Sequence, residues 1–595
     1  MIDKKKKNLF NSAQKHLKGV VCSISDEHKK AIKQIKNLNS NVHEYDDSVR
    51  KKIGSIYANR ADELFHLKPS PFVARCDVSF GDAEETLYFG KFSLIEESIY
   101  SWITPAARIR FENLGEVSYT LSSGEKRNAK LSRKDQFLIS KEKIVFMASE
   151  SGEYERTLIH QEYLTNRKTG FVLPEIIAQM EKAQDKVIRA NPDGSFLISG
   201  PAGSGKTTLA LHRIAYLLQS PETIELYGKA PIIVFVQDES TRQYFSSLLP
   251  ELGIHNVEIT TYGIWALSKM GLQGYICGDT GIEGGIEIDW NEISFKKAMI
   301  QHKELPKMSK KGFDPFAWLR SIYSKDKQLV EALIYQEKEN RLDYFDLTFL
   351  QSGIINRDGA LLTEIERYFE GKNSRLIRKK EIVPLQYSLV MLDEVQNYSA
   401  KQIQTIKSCL HPDTKSMLYT GDLGQRTRIG TMTIWNEVDE EFSSERCAEL
   451  KKVYRNTRNI LQYIKGQGYE IEVPDAIPSG SEVLEYQKSE EAKLHIDKLI
   501  SEKEGLLVGV LGFEDKDLRK YEYLKSKKVK VMTIKEAQGV EFDTVILVGV
   551  GDEALQPIHK NKKLQKELRH INKNLFYVGL TRAMQTLVII KEQSL

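Results

Sequence analysis

A glycine-rich segment between a predicted strand and a predicted helix constrains this chain more than any other feature. An apolar run at 196–199 comes directly before the segment, and a helical pattern at 209–218 follows it. The segment matches G-x-x-x-x-G-K-T at Gly200, Pro201, Ala202, Gly203, Ser204, Gly205, Lys206 and Thr207. Glycines let backbone N–H groups surround phosphate oxygens at a helix N-terminus. The pattern therefore predicts a phosphate-binding loop in a parallel α/β domain, and an ordinary glycine-rich turn is the weaker interpretation.

Two acidic residues after a second apolar strand extend this predicted site. The strand pattern at 389–392 ends at Asp393 and Glu394. We expect Lys206 to reach the β- and γ-phosphate oxygens, Thr207 and Asp393 to hold Mg²⁺, and Glu394 to orient and deprotonate an attacking water. Adjacent acids after a strand are equally typical of a solvated loop when taken alone. Together with the glycine-rich segment, they predict an ATP hydrolase that uses ATP and Mg²⁺.

The rest of the chain predicts several further domains. At about 150 residues per domain, 595 residues suggest three to five domains. Residues 8–67 have helical spacing interrupted by turn-forming residues at 37–41, which predicts two antiparallel helices with Glu44, Asp46 and Asp47 near the tip. A protruding arm and a helix pair packed on the body remain equal alternatives. Short strand patterns at 72–78, 86–92 and 143–148 then predict a small β-rich domain.

Composition and charge exclude several classes of protein. The 86 Lys and Arg residues against 82 Asp and Glu residues give a formal charge of +4, so any contact with nucleic acid must be local. The five cysteines lie far apart without a C-x-x-C pair, which indicates neither a zinc site nor a disulfide framework. The longest apolar stretches fall well short of the roughly 18 residues that span a bilayer. We expect a cytoplasmic protein with no membrane contact.

Seven ordered motifs resemble those of UvrD/Rep-type superfamily 1 helicases. They lie at Gln184, 200–207, 393–396, 421–425, 454–455, 533–542 and 577–583. Within that superfamily the chain is most similar to HelD-like RNA-polymerase-associated ATPases, through 181–189, 211–218, 249–253 and the upstream segments 70–72, 88–90 and 102–105. With the N-terminal helices included, the resemblance covers nearly the whole chain.

The resemblance implies an α/β fold with two RecA-like P-loop motor domains and a helical insertion, preceded by a helical hairpin and a β-rich domain. The implied boundaries are 1–68 for the hairpin arm, 69–165 for the β-rich domain, 166–262 with 375–440 for motor domain 1A, 263–374 for the insertion 1B, and 441–595 for motor domain 2A. The aromatic residues of the insertion, such as Trp318 and Tyr344, are expected to pack in a core more often than to stack on bases.

The resemblance also implies roles for individual residues. Gln184 would read adenine and Tyr454 would stack on the base, while Gln425 would sense the γ-phosphate. Arg455 and Arg582 would act as arginine fingers from the second motor domain. The remaining implied nucleotide contacts are Thr208, which stands where an arginine is usual, Gly539 and Glu541.

Some positions depart from the helicase pattern. Gln425 is followed by 426–430, Arg-Thr-Arg-Ile-Gly, where related proteins carry aromatic residues that stack on single-stranded bases. Lys535 and Gln538 stand where His and Lys are frequent. The segment between Arg455 and Thr533 is too short for the large fourth subdomain of processive helicases. The sequence therefore defines the contacts with a nucleic-acid strand less well than the contacts with ATP.

Three functions remain open on the sequence. The first is a DNA helicase or translocase, with 3′ to 5′ polarity implied by the resemblance, whose partner is single-stranded or duplex DNA, or RNA. The second is a HelD-like factor that binds RNA polymerase and releases it from nucleic acid. The third and weakest is a defence-associated ATPase. The intact motif order favours the first, whereas the N-terminal arm and the missing aromatics favour the second.

Overall fold

The computed structural model describes most of the chain, in two units. The described residues are 2–40, 47–121, 123–152, 154–161, 182–252, 254, 257–278, 288–309, 313–370, 376–451, 453, 455–473, 477–502, 507–526, 528–538 and 540–592. One unit comprises Met1–Ala190, Leu211–Glu225 and Ser247–His255, and the other comprises Asn191–Ala210, Leu226–Ser246 and Asn256–Leu595. The predicted tip residues Glu44 and Asp46 lie outside the described residues.

Two long helices, Ile2–Ser40 and Asp47–Leu67, begin the first unit and pack against each other. The longer helix buries Leu17, Val20 and Ile24, whose spacing places them on one face. These side chains join Leu64 and Leu67 in an apolar cluster with residues of the following β-sheet, among them Tyr88 and Phe137. The helix pair is therefore anchored on the sheet by a buried apolar face.

The β-rich region forms one seven-stranded sheet in the order β3-β2-β1-β5-β6-β7, with β4 paired to β5. Its strands are β1 (Ala74–Phe80), β2 (Ala83–Gly90), β3 (Ile99–Ser101), β4 (Gly115–Thr120), β5 (Lys126–Ser140), β6 (Lys143–Ser151) and β7 (Tyr154–Gln161). Turns at Gly81 and Gly124 connect β1 to β2 and β4 to β5, and both glycines have positive φ. Alternate residues of β1, namely Ala74, Cys76 and Val78, are buried, as expected for a sheet with one face on a core.

A short helix, Lys182–Ile188, ends the first long segment of this unit. Arg189, just after it, donates to the carbonyl oxygens of Trp102 and Ile103, each at 2.8 Å, and its Nε lies 3.0 Å from Asp185 Oδ1. Two of the segments that carry the HelD-like resemblance, 102–105 and 181–189, therefore contact each other.

The second unit contains a six-stranded, fully parallel sheet in the order β10-β9-β15-β16-β8-β17. The strands of this sheet are β8 (Ser195–Ser199), β9 (Ile232–Val236), β10 (Val257–Thr261), β15 (Leu389–Leu392), β16 (Ser416–Thr420) and β17 (Cys447–Glu449). Four strands that are not part of it come between β10 and β15 in the chain, namely β11 (Ile276–Cys277), β12 (Arg341–Leu342), β13 (Leu362–Glu370) and β14 (Leu376–Pro384). Strand β17 pairs with β8, so the predicted domain boundary at 440/441 falls before the last strand of this sheet.

Helices follow several of these strands along the chain and fill the segment between β10 and β15. The division between the units passes through three of them, Lys206–Gln219, Ile224–Tyr227 and Glu239–Glu251. The others are Tyr262–Lys269, Trp290–Ile300, Pro315–Tyr323, Lys327–Lys338, Tyr344–Asp358 and Ala400–Lys407. Four successive helices of the segment begin at an aspartate whose side chain accepts from the first-turn backbone, at Asp289, Asp314, Asp326 and Asp343. Phe316 and Trp318 belong to the core cluster, as predicted for the aromatic residues. The hairpin β13–β14 crosses the predicted boundary at 374/375.

A buried lysine joins the helices of this segment. Lys297 is fully buried, and its Nζ lies 2.6 Å from Asp343 Oδ2 and 2.8 Å from Asp346 Oδ1. Tyr323 donates to Asp346 Oδ1 at 2.5 Å and Gln336 donates to Asp346 Oδ2 at 2.6 Å. Burial, together with Asp346, raises the pKa of Asp343 to about 7. The ammonium group of Lys297 therefore compensates two buried carboxylates that would otherwise repel each other.

Replacing Lys297 by Met is expected to destabilise the protein by about 3 kcal/mol, because it leaves two buried carboxylates without a cation. The loss should be larger at pH 8 than at pH 5, since protonation of a carboxyl group whose pKa is raised to about 7 removes the repulsion at low pH. Urea unfolding at the two pH values measures both effects. Lys296→Met is the control, because Lys296 pairs with Asp326 near the surface and should cost less than about 1 kcal/mol. Equal losses in the two variants would contradict the assigned role.

A second parallel sheet follows in the order β18-β22-β21-β19-β20. Its strands are β18 (Leu484–Tyr486), β19 (Val508–Gly512), β20 (Val529–Thr533), β21 (Phe542–Val548) and β22 (Ala583–Ile590). Its helices are Arg458–Gly466, Ser489–Glu502, Asp515–Leu518, Asp552–Leu555 and Lys562–Thr581. The predicted mixed α/β fold with parallel sheets is confirmed. Within the described ranges, none of the helices combines the length and apolar composition needed to cross a bilayer.

Candidate nucleotide site

The glycine-rich segment forms a tight loop between β8 and the helix Lys206–Gln219. Gly200, Gly203 and Gly205 all have positive φ values, of 147°, 80° and 90°. A Cβ atom at Gly200 would clash with the carbonyl oxygen of Leu450, and one at Gly203 would lie 3.2 Å from Val453 Cγ1. Glycine is therefore required at these positions both for the backbone conformation and for the close approach of the segment after β17.

Lys206 starts the helix and folds back into this loop. Its side chain is buried, and Nζ donates to the carbonyl oxygens of Gly200 at 2.9 Å and Pro201 at 3.0 Å. Ser204 Oγ also donates to the Pro201 carbonyl, at 2.8 Å. The loop thus holds an ammonium group beside a helix N-terminus, an arrangement that attracts phosphate.

Asp393 lies at the carboxyl end of β15, and a single strand, β16, separates β15 from β8. Thr207 and Thr420 both donate to Asp393 Oδ1, at 2.8 Å and 2.6 Å. Burial, with a contribution from Glu394, raises the pKa of Asp393 to about 6. A hydroxyl group beside a carboxylate is the oxygen donor set that suits Mg²⁺ held through few protein ligands. The searched, described residues include no group of three or more His, Cys, Asp or Glu side chains that forms another metal site.

Glu394 follows in a left-handed backbone conformation, with φ 51° and ψ 53°. Gln396 Nε2 donates to Glu394 Oε2 at 2.5 Å, and Gln396 Oε1 accepts from the backbone N–H of Asp422 at 3.1 Å. A Cβ atom at Gly421 would clash with Gln396 Oε1, so the glycine leaves room for this contact. Gln396 therefore joins the carboxylate of Glu394 to the loop after β16. The sequence analysis assigned no role to Gln396, although its place in the motif at 393–396 indicated that it belongs to the site.

Gln425 lies in the same loop and donates to Asp422 Oδ2 at 2.7 Å. The chain beyond it is held by the helix Lys562–Thr581, because Asn574 Nδ2 donates to the carbonyl oxygens of Gly424 at 3.0 Å and Arg426 at 2.8 Å. Glu567 accepts from the backbone N–H of Gly430 at 2.8 Å. The loop that contains Gln425 is thus tied to an element of the second parallel sheet.

A side-chain network makes a further connection between the two sheets. Thr427 Oγ1 donates to Asn397 Oδ1 at 2.7 Å and accepts from Gln538 Nε2 at 2.7 Å. Asn397 Nδ2 lies 3.4 Å from Gln538 Oε1. Gln538, the residue that departs from the helicase pattern, therefore links the end of β15 and the loop after β16 to the segment before β21.

The two predicted arginine fingers lie close to the acidic residues. Arg455 Nη2 forms an ion pair with Glu541 Oε1 at 2.7 Å. Arg582 is buried, and within the described part of the chain its donors make long contacts, with Val578 O at 3.2 Å, Thr581 Oγ1 at 3.4 Å and Val540 O at 3.5 Å. Burial lowers the pKa of Arg582, and the charge of Arg455 adds to this effect, while Glu541 and Glu394 oppose it. The arrangement keeps a guanidinium group without a strong acceptor near Glu394.

The second sheet reaches the phosphate loop itself. Ala202 of the loop and Tyr577 belong to the same apolar core cluster, which is that of the second sheet. Sequence reasoning missed this role of Tyr577, whose signal was its place in the last motif. Among the other predicted residues, Thr208 lies in the first turn of the helix Lys206–Gln219, and Gln184 lies in the helix Lys182–Ile188 of the first unit. Tyr454 and Gly539 lie outside the described residues.

A small polar cleft lies beyond Gln425 on the insertion side. Its lining includes Gln237, Asn397, Gln402, Tyr398, Tyr344 and Arg428. The guanidinium carbon of Arg428 lies 4.8 Å from the centre of the Tyr344 ring. The segment after Gln425 lacks aromatic residues, but the structure brings an aromatic ring from the insertion to the same place.

The fold and this arrangement of motifs define the class of protein. Residues 239–594, more than half of the chain, match the family model of the UvrD-like helicase C-terminal domain, and the chain belongs to this family. It is similar to the ATP-dependent DNA helicase PcrA of Bacillus subtilis (strain 168), with 20% identity over 314 residues. That match covers 49% of this chain and only 40% of PcrA. Both findings support a UvrD/Rep-type superfamily 1 protein.

Proposed function

We propose that this chain is an ATP-dependent nucleic-acid motor of superfamily 1, which couples ATP hydrolysis to translocation on DNA in the 3′ to 5′ direction. The observation that carries the proposal is the position of two arginines. Arg455, which pairs with Glu541, approaches the phosphate loop, where a Cβ atom at Gly203 would lie 3.4 Å from Arg455 Cβ, and the charge of Glu394 acts on the buried guanidinium group of Arg582. The two parallel sheets then correspond to RecA-like domains with the ATP site at their junction. Family membership and the similarity to a DNA helicase support DNA as the polymer.

The residues of the junction have separate tasks in this mechanism. Backbone N–H groups of the loop and the Lys206 ammonium bind the phosphates, and Thr207 with Asp393 hold the metal. Mg²⁺, when bound, neutralises charge between the β- and γ-phosphates. Glu394, oriented by Gln396, accepts the proton of the attacking water. Arg582 and Arg455 neutralise the charge that spreads over the transferred phosphoryl oxygens.

The loop after β16 connects this chemistry to the polymer. Gln396 and Gln425 both contact Asp422, while Asn574, Glu567 and the Asn397–Thr427–Gln538 network tie the rest of the loop to the second sheet. Arg428 and Tyr344 line the cleft beyond Gln425, and the nucleic-acid strand is proposed to lie at this cleft. A change near the γ-phosphate therefore shifts the two side chains that face the nucleic acid. The short connection between Arg455 and Thr533 supports translocation or remodelling rather than processive strand separation.

The test is ATP turnover with and without single-stranded DNA. Turnover should rise when DNA is added, and the motor should displace streptavidin from one labelled end only, the 5′ end for 3′ to 5′ movement. Gln538→Ala should lower DNA-stimulated turnover about tenfold, because it removes hydrogen bonds across the junction, and leave basal turnover unchanged. Turnover that no DNA or RNA stimulates would overturn the motor proposal, and displacement from the 3′ end only would overturn the polarity.

A HelD-like factor is the second candidate, favoured by the length of the N-terminal helices. The helix Ile2–Ser40 packs on the sheet as far as Ile24, and at 1.5 Å per residue the remaining part, 25–40, extends about 24 Å beyond that contact, which is the length available to an arm that enters a channel. Neutralising Glu44, Asp46 and Asp47 together should then weaken capture of RNA polymerase while basal ATP turnover stays unchanged. Equal capture by the triple variant and the wild type would eliminate channel entry by these acids.

A further inference from the structure

The helix Lys562–Thr581 carries a row of basic side chains along one exposed face. The row, called here the basic stripe, consists of Lys562, Lys566, Arg569 and Lys573. Steps of four, three and four residues keep these side chains within an arc of about 60° on an α-helix. At 1.5 Å per residue the stripe is about 16 Å long. The chain, whose net charge is only +4, thus concentrates positive charge on one short surface.

The stripe is presented by a helix whose position is fixed. The opposite face buries Leu564, Ile571 and Leu575. At its N-terminus, Asn561 Nδ2 lies 3.3 Å from both carboxylate oxygens of Glu292, and His559 Nε2 lies 2.8 Å from Asp289 Oδ2. The apolar contacts and the two polar contacts prevent the helix from rotating, so the four basic side chains keep their common direction.

The basic stripe has an energetic cost to the isolated protein. Neighbouring like charges at spacings of three and four residues repel each other, and lysines in the first turns oppose the positive end of the helix dipole. Among the described residues, no carboxylate forms an ion pair with any member of the stripe. Within the same described residues, Lys562 donates to the neutral amide oxygen of Gln565 at 3.1 Å, and Lys573 Nζ lies 5.7 Å from the centre of the Tyr469 ring. A row of cations that the fold does not neutralise indicates an external polyanion.

Positive charge continues from the stripe towards the loop after β16. His570 Nε2 lies 3.1 Å from Asn574 Nδ2, and Asn574 also donates to the Arg426 carbonyl oxygen at 2.8 Å. Burial lowers the pKa of His570, the charges of Arg426 and Lys573 lower it further, and the carboxylate of Glu567 opposes them. Arg426, in the loop that lies next to the proposed strand-facing cleft, therefore adds a cation close to Lys573, with Glu567 as a nearby anion.

We propose that the basic stripe binds the phosphate backbone of a duplex segment of the nucleic acid on which the motor acts, an inference that rests on the proposed function. The exposed face of this helix carries no Phe, Tyr or Trp side chain of its own, and one ring beside it, Tyr469, lies against Lys573 at 5.7 Å, so the stripe lacks the row of stacking groups with which proteins usually hold single strands. A straight, rigid row of cations fits the regular phosphate spacing of a duplex, and its length corresponds to about five base-pair steps. The stripe supplies a duplex contact in a chain that has no room for a large fourth subdomain.

The test compares duplex and single-strand binding in full-length protein. A variant with Lys562→Gln, Lys566→Gln, Arg569→Gln and Lys573→Gln should bind a blunt duplex at least about tenfold more weakly at moderate salt. The slope of log affinity against log salt concentration should become less steep by about 3 to 4, because the variant loses four phosphate contacts and therefore releases fewer counterions when it binds. Affinity for single-stranded DNA and basal ATP turnover should stay unchanged. A control with Lys516→Gln, Arg519→Gln, Lys525→Gln and Lys528→Gln changes the net charge equally on another exposed part of the same unit and should leave duplex binding intact.

The outcomes separate this inference from the proposed function. Unchanged duplex affinity and salt slope in the stripe variant would overturn the duplex site, and so would an equal loss with the control or an equal loss of single-strand binding. If instead wild-type turnover responds to no nucleic acid, the proposed function fails by itself. Removing like charges should not lower the melting temperature. Two double variants repeat the test with smaller changes: Lys562→Gln with Lys566→Gln, and Arg569→Gln with Lys573→Gln. Each should show about half of the change in slope that the fourfold variant shows.

Discussion

Replacing Glu394 by Gln is expected to lower ATP turnover by about 10³-fold while ATP still binds. The substitution keeps the shape of the side chain and its contact with Gln396, but it removes the group that accepts the proton of the attacking water. Steady-state turnover and equilibrium binding of a fluorescent ATP analogue measure the two effects separately. Glu441→Gln, which changes an exposed carboxylate in the same unit, is the control and should leave turnover unchanged.

The companion variant Lys206→Ala should affect binding as well as turnover. Its ammonium group is buried against the carbonyl oxygens of Gly200 and Pro201 and points into the loop that is expected to hold the phosphates. Loss of the charge therefore lowers both the affinity for the nucleotide and the stabilisation of the transition state. Near-normal turnover in either variant would show that this junction is not the ATPase site.

Local sequence patterns predicted the elements of the first parallel sheet well. The apolar run at 389–392 coincides with β15, the run at 196–199 lies within β8, and the predicted strand and helix flank the glycine-rich loop. Such features depend on residues close together in the chain, namely an apolar run, glycines with positive φ and a helix start. The placement of Asp393 beside Thr207 followed from the same logic, because parallel strands end at one edge of their sheet.

Sequence patterns did not predict the contacts between segments that are distant in the chain. Nothing local to Gln396 indicates that it reaches Asp422, and nothing local to Tyr577 indicates that it belongs to one apolar cluster with Ala202. The assignment of β17 to the first sheet depends on three residues, Cys447–Glu449, whose pairing with β8 has no periodic signature. Likewise, Tyr344 reaches Arg428 only because the insertion folds back over the first sheet. Long-range pairing of this kind depends on how the elements pack and not on the composition of either segment.

Replacing Arg582 by Ala is expected to lower ATP turnover by about 10³-fold with little change in ATP affinity. Arg582 lies between the helix Lys562–Thr581 and β22, where the charges of Glu394 and Glu541 act on it and its hydrogen bonds to described residues are 3.2 Å or longer. A guanidinium group with such weak acceptors has donors to offer when negative charge accumulates on the transferred phosphoryl oxygens. It therefore contributes mainly in the transition state, which predicts a fall in kcat without a matching rise in the dissociation constant.

The same burial gives the prediction a second readout in the absence of nucleotide. A buried cation without a paired carboxylate is unfavourable, and the neighbouring charge of Arg455 adds repulsion, as the lowered pKa of Arg582 shows. The melting temperature of Arg582→Ala without nucleotide should thus equal or exceed that of the wild type. Arg582→Lys keeps the charge but loses the planar set of donors, so it should recover only a small part of the turnover. Loss of ATP affinity with unchanged turnover in Arg582→Ala would contradict the assignment, and a large drop in its melting temperature would mean that the side chain is structural.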